Sequence, residues 1–436
     1  MPPRPTPKVL FRGARLVDPA SGRDEGVDVL VTDGQVAGMG REASPTGATV
    51  LDCAGLILAP GLVDLHTHLR EPGREDKETV ETGSRAAAMG GFTAITAMAN
   101  TEPVADNAAV IQEVLALAEK AGLCDVFPVG AVTRGLEGES LSDIGEMATA
   151  GVRMFSDDGK CVQRARVLRM ALEYANAFDV IIAQHCEEES LAEGAQMHEG
   201  YYSSVLGLTG QPREAEEAIV ARDLQLARLT RGRLHICHLS SAGSVELVRR
   251  ARAEGLRVTA EATPHHLALT DEDLSGYDTN LKVNPPIRSE DDREALRAGI
   301  RDGTIDAVAT DHAPHAVEEK EQEFDRAPPG TIGLETALAV SLTELVHSGA
   351  VPLVRVLEAL STAPARILRA AGQGGPVEPG ADANLVAFDP EAEWVVEAPF
   401  ASKSRNSAFL GRTVRGRVVH TMSRGELTVR DGKAAQ

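Results

Sequence analysis

His66 and His68 stand two positions apart in "DLHTHLREPG", residues 64–73, directly after the apolar run "GLILAPGLV". On an extended chain, positions i and i+2 share a face, so both imidazoles can meet one cation if that face is interior. Taken alone, the pair is equally well explained by hydrogen bonds at a strand exit. Other apolar runs downstream end the same way: "FTAITAMAN" in Asn100, "GVRMFSDD" in Asp157 and Asp158, "DVIIAQH" in His185, "GRLHICH" in His238, "LRVTAEATPHH" in His265 and His266, and "TIDAVATD" in Asp311. His185 and His238 could each be a satisfied core histidine, but their matching positions on successive runs favour a shared role. Cys186 and Cys237 sit beside them, and alternation aims each thiol to the opposite face, so both read as small buried residues rather than thiolate ligands. "SDDG" offers two carboxylates, one for a metal and one for capping, and spacing does not choose between them. Asp311 is either an N-cap or a ligand and proton shuttle. His312 and His315 follow in a loop where one could reach a substrate. Four histidines and two carboxylates exceed a closed tetrahedral zinc site and suit two cations sharing a carboxylate. Such a pair lowers the pKa of bound water and polarises a carbonyl, which points to hydrolysis of an amide-like bond.

Residues spread this widely meet only if the elements bring them to one place. Eight β-like runs, "GLVDLHTH" through "TIDAVATDH", alternate with segments such as "NAAVIQEVLALAEKAG" and "AGSVELVRRARAEG", which carry apolar residues at helical spacing and a glycine stop. That alternation predicts a parallel sheet closed into a (β/α)8 TIM barrel, whose active site lies at the C-terminal ends of the strands. A doubly wound open sheet is the alternative, but no GxGxxG follows the first strand. The two ends of the chain have a different texture of short β segments with the Asp-Gly turns "TDGQ" and "RDGK". They are expected to pair into one small β domain. The predicted division is therefore 1–58 and 371–436 for the β-sandwich and 59–370 for the barrel.

Bulk properties narrow the function. Lys and Arg total 44 against 65 Asp and Glu, a formal charge of −21, which repels nucleic acid and anionic membrane. An anionic small substrate would then need local arginines. Five scattered cysteines without CxxC spacing suit a reducing cytoplasm rather than a disulfide framework. The start has no apolar h-region, and no run approaches the length of a membrane span, so neither export nor a membrane role is expected.

Taken in order, "DLHTHLREPG", "FTAITAMANTEP", "FSDDG", "QHCEE", "HICHLSSAGS", "EATPHHLALTDED", "LKVNPPIR", "ATDHAPH" and "PPGTIGLETAL" resemble the class I dihydroorotases of the cyclic amidohydrolase superfamily. The resemblance implies reversible cyclisation of N-carbamoyl-L-aspartate to dihydroorotate and water in pyrimidine biosynthesis, with two zinc ions per subunit expected and one possible. Carried over by position, His66 and His68 match ligands of one zinc, and His185 and His238 match ligands of the other. Asp158 matches the bridging carboxylate, and Asp311 the metal-contacting acid and base. Arg70 and Asn100, with His68, match the groups that hold the substrate carboxylate, for which a guanidinium fork is suited. Asn284, His315, Pro329 and Gly330 match further substrate contacts. Dihydropyrimidinases, hydantoinases and allantoinases of the superfamily bridge their metals with a carboxylated lysine; here that place reads "FSDDG", and Lys160 is expected to be a solvated loop residue. The rival readings are one of those enzymes, or an inactive scaffold for aspartate transcarbamoylase, whose members typically lack the metal histidines. A homodimer is expected, and association with that transcarbamoylase is left open.

Overall fold

The computed structural model describes residues 8–435. The eight runs read from the sequence each contain one parallel strand: β1 (Leu62–Asp64), β2 (Phe92–Ala97), β3 (Asp125–Pro128), β4 (Met154–Phe155), β5 (Ile181–Gln184), β6 (Arg233–Ile236), β7 (Val258–Ala262) and β8 (Ala307–Val308). β2, "FTAITA", is buried at all six positions, as a strand packed on both faces must be. Neighbours pair in chain order, with Asp64 opposite Ile95, Ala94 opposite Asp125, Met154 opposite Ile181, Ile182 opposite Leu234, Leu234 opposite Val258 and Glu261 opposite Ala307.

Two short seams close the ring. Gly130 bridges Phe155 between β3 and β4, where Ser156 N donates to Gly130 O at 2.8 Å. Thr67 bridges His312 between the ends of β1 and β8, where His68 N donates to His312 O at 2.8 Å. Leu65, Met98, Val129, Met154, Ile181, Ala183, Ala307 and Ala309 fill the interior, so the barrel is a packed core with its opening at one end.

The outer layer is made by helices such as Ala108–Ala121. Asn107 caps it by accepting from Ala109 N at 3.0 Å, and Gly122 ends it in the left-handed region at φ 63°. Its Val110, Ile111, Val114 and Ala118 face the barrel. Among the described residues no helix is long and apolar enough to cross a membrane.

The chain ends meet in a β-sandwich. Ile57–Pro60 pairs antiparallel with Leu385–Val395 and parallel with Arg15–Asp18 in a seven-stranded sheet. A four-stranded sheet containing Val9–Arg12 packs against it through Val9, Phe11, Leu16, Val31, Leu58, Leu385 and Met422. The Asp33-Gly34 and Asp431-Gly432 turns have positive φ at both residues, as two-residue hairpin turns require. Pro60 is followed almost at once by β1, so the sandwich leads directly into the strand whose C-terminal end is continued by His66 and His68.

Candidate metal centre

All four histidines and one aspartate of the "SDDG" pair converge at the barrel mouth. Asp158 is the hub. Its Oδ2 lies 3.2 Å from His66 Nε2 and 3.4 Å from His68 Nε2, and its Oδ1 lies 3.3 Å from His238 Nε2 and 3.7 Å from His185 Nδ1. Asp311 Oδ1 is 3.1 Å from His68 Nε2 and 3.5 Å from His66 Nε2. Ligand atoms of His66, His68 and Asp311 lie within 4.8 Å of one another, as do those of His66, Asp158 and His238.

The donor set fits cations rather than a proton network. His185 Nδ1 and His238 Nε2 face each other at 2.9 Å beside a carboxylate. The buried His66 Nε2 has no hydrogen-bond partner, although two carboxylates stand close to it. Burial opposes the charged form of Asp158, but the imidazoles of His66, His238 and His68 outweigh it and hold the carboxyl well below its usual range. Asp311 is shifted down by the same contest, with His66 and His68 prevailing over burial.

The other nitrogen of two of these rings is held in place. Glu261 Oε1 accepts from His66 Nδ1 at 2.7 Å, and Asn100 Oδ1 accepts from His68 Nδ1 at 2.9 Å, so each presents Nε2 as a bare donor to a metal. Glu261 also meets His235 Nε2 at 3.1 Å, and despite full burial His235 and His66 bring its pKa down to about 2. Asp64, pushed up to about 7 by burial, accepts from His66 N at 3.0 Å and Thr310 N at 3.1 Å, tying β1 to β8 beneath the site. Arg70, His238 and Asp311 all have positive φ, at 63°, 29° and 46°, a backbone cost of about 1–3 kcal/mol each that clusters at functional sites.

Asp157 turns away. Its Oδ1 accepts from Val132 N at 2.8 Å and Thr133 N at 2.9 Å, and its Oδ2 from the Thr133 hydroxyl. Lys160 is exposed. Arg70 Nε donates to Pro314 O at 3.2 Å, and burial brings its guanidinium down to about 10, still charged at neutral pH. Asn284 Nδ2 lies 3.4 Å from His185 Nε2. His315 Nε2 lies 2.9 Å from Pro329 O, and Gly330 packs on the same ring.

Other polar strand ends have different duties. His266 bonds Thr263 and Pro285, and His312 is held between Glu78 Oε2 and Gly333 N rather than facing a substrate. Cys186 faces the outer layer beside Asp223, as alternation predicts. Cys237 departs from that prediction: it is small and buried, but its sulfur lies within 4.8 Å of His66 and Glu261 ligand atoms. β6 stops at Ile236 and His238 twists to positive φ, so alternation no longer applies there. Sequence reasoning passed over Glu261 altogether. The available signal was a lone carboxylate inside the apolar run "LRVTAEA".

A closed parallel barrel with a mouth of four histidines and two aspartates, joined to a sandwich built from both chain ends, has the build of a metal-dependent amidohydrolase. An L-hydantoinase (dihydropyrimidinase) from Arthrobacter aurescens superposes with a TM-score of 0.86 at 28% identity, over 98% of this chain and 97% of that one. A family model described as dihydro-orotase-like matches residues 55–244. A dihydroorotase of Leifsonia xyli subsp. xyli is 54% identical over 97% of this chain and 96% of its own, and one of Streptomyces coelicolor is 52% identical over 98% and 99%. The chain belongs to the dihydroorotase family.

Proposed function

We propose that this chain interconverts N-carbamoyl-L-aspartate and dihydroorotate in the cytoplasm with two zinc ions, His66 and His68 serving one, His185 and His238 the other, and Asp158 both. The observation that carries this reading is the Asp158 carboxylate, which turns one oxygen to each histidine pair. The bound cations would supply a polarised carbonyl and an activated water at neutral pH.

The chain's own groups supply the rest. Asp311, beside His68, takes a proton from the water and returns it to the departing ring nitrogen during ring opening. Glu261 and Asn100 fix the imidazole tautomers. Arg70 and Asn100 receive the substrate carboxylate, and Asn284, His315, Pro329 and Gly330 line the remainder. In the biosynthetic direction the protonated carboxyl is the better electrophile, so cyclisation prevails in mild acid and ring opening in base.

The hydantoinase reading has the A. aurescens structure in its favour, but an exposed Lys160 and a central Asp158 speak for the aspartate-bridged branch. The full set of metal residues speaks against a purely scaffolding subunit. We also propose a division at 58/59 and 370/371, a homodimer and association with aspartate transcarbamoylase, the last two tested by sedimentation with and without that enzyme. The decisive experiment measures zinc content and turnover of dihydroorotate, hydantoin and allantoin on one preparation. Dihydroorotate is expected to be the preferred substrate by orders of magnitude. Full activity after chelation, or preference for hydantoin, would overturn the reading.

A further inference from the structure

The backbone at Gly330 packs on His315 and is tied by hydrogen bonds to groups outside the substrate pocket. Its φ of 141° is strained for any side chain, and a Cβ there would stand 2.8 Å from His315 Nε2, so the loop lies flat against that ring. Gly330 N donates to Lys282 O at 2.8 Å. Gly330 O accepts from two side chains, Asn406 Nδ2 and Lys320 Nζ, each at 3.1 Å.

Asn406 belongs to the connection between the sandwich strands Leu385–Val395 and Thr413–Ser423, yet it is only 3% exposed and reaches the barrel mouth. Besides Gly330 it serves Ala313 O through Nδ2 at 3.1 Å and His315 N through Oδ1 at 3.1 Å. One side chain thus joins the β8 loop and the 328–330 loop. Ser404 Oγ reinforces the seam by donating to His315 O at 2.9 Å.

Lys320 is also buried, and it bonds carbonyls alone, those of Pro328 at 2.9 Å, Gly330 and Lys282. Among the described residues no carboxylate stands within 4.0 Å of its ammonium. A buried charge with neutral acceptors only is costly, and burial together with Lys282 brings its pKa down to about 7. Such a group serves to hold main chain in place.

We propose that Asn406 and Lys320 are positioning residues, two clamps on the Gly330 carbonyl that fix the Pro329–Gly330 backbone and the His315 ring for the cyclic substrate. This rests on the reading that those three residues line the substrate pocket. It makes the sandwich connection a working part of the site.

The test uses Asn406→Asp, which keeps the acceptor for His315 N and loses both donors, and Lys320→Gln. Loop order is read from the rate of tryptic cleavage after the exposed Arg326, and substrate positioning from the split between KM and kcat for dihydroorotate hydrolysis at matched metal content. Each variant is expected to cleave faster and to raise KM about tenfold with kcat changed less, since each loses a buried bond. Because both act on one oxygen, the double variant should fall short of the product of the single effects. Unchanged cleavage and KM in either folded variant overturn the proposal, and so does faster cleavage with unchanged KM. Should one variant not fold, the other decides. Absence of dihydroorotate turnover in the parent would sink the reading of function, while the cleavage rates would still judge the clamps.

Discussion

Asp157 and Asp158 are adjacent, chemically identical and committed to different tasks. Asp157 spends its oxygens on Val132 and Thr133, whereas Asp158 faces four imidazoles. Asp158→Ala is expected to lose bound metal and all turnover, measured by metal analysis. Asp157→Ala should keep metal but lose about 1–3 kcal/mol of stability in urea, from donors left unsatisfied. Glu261→Gln should weaken metal binding by about 10- to 100-fold in a competition titration, because His66 loses its anionic anchor. Asp311→Asn at matched metal content should lower kcat by about 10²- to 10⁴-fold; near-normal turnover would falsify the proton-shuttle role. The pair is also where sequence spacing ran out. It brought two carboxylates to one strand end, but their directions depend on the Val132–Thr133 backbone in the loop that follows the neighbouring strand β3, which is distant in sequence.

Strands were legible because seven of the eight apolar runs close with a residue able to bind metal or donate hydrogen bonds, and the helices because their caps and glycine stops are local. Glu261 was not, since a carboxylate within a β run gives no hint of which histidine it will face. Segment 401–409, "ASKSRNSAF", reads as a polar linker, and only its contacts with Ala313, His315 and Gly330 give it meaning. The short pairing of Met197–His198 with Gly210–Gln211 carries its own pH signature. Burial, together with Arg288 3.3 Å from Nδ1, brings His198 down to about 4, below its ordinary 6.5. The unfolded chain therefore binds the extra proton first as pH falls. The resulting stability is fully present above pH 6.5 and is lost between there and about 4. His198→Gln should flatten that part of a stability-against-pH curve measured by urea unfolding.

At the level of the molecule, the barrel and the pairing of the two chain ends both follow from patterns spread over the whole sequence. Ring closure does not, because it depends on two single bridges, Gly130 with Phe155 and Thr67 with His312. The mouth holds the buried carboxylates of Asp158 and Asp311 near one another, both facing His66, so cations there should stabilise the whole fold. Binding to the native state alone contributes about 4 kcal/mol when free metal is a thousandfold above Kd. Chelation is expected to lower the thermal midpoint as well as abolish turnover, and calorimetry before and after metal return checks both.

The sheet in which Ile57–Pro60 lies between Arg15–Asp18 and Leu385–Val395 also governs how the protein can be born. On a ribosome adding about 5–20 residues per second, the early strands wait on the order of tens of seconds for their late partner. The histidines following β1 emerge long before Asp311 or Asn406, so the nascent chain carries an unfinished cation trap until those residues follow. Maturation of the centre is thereby deferred until Leu385–Val395 has been translated.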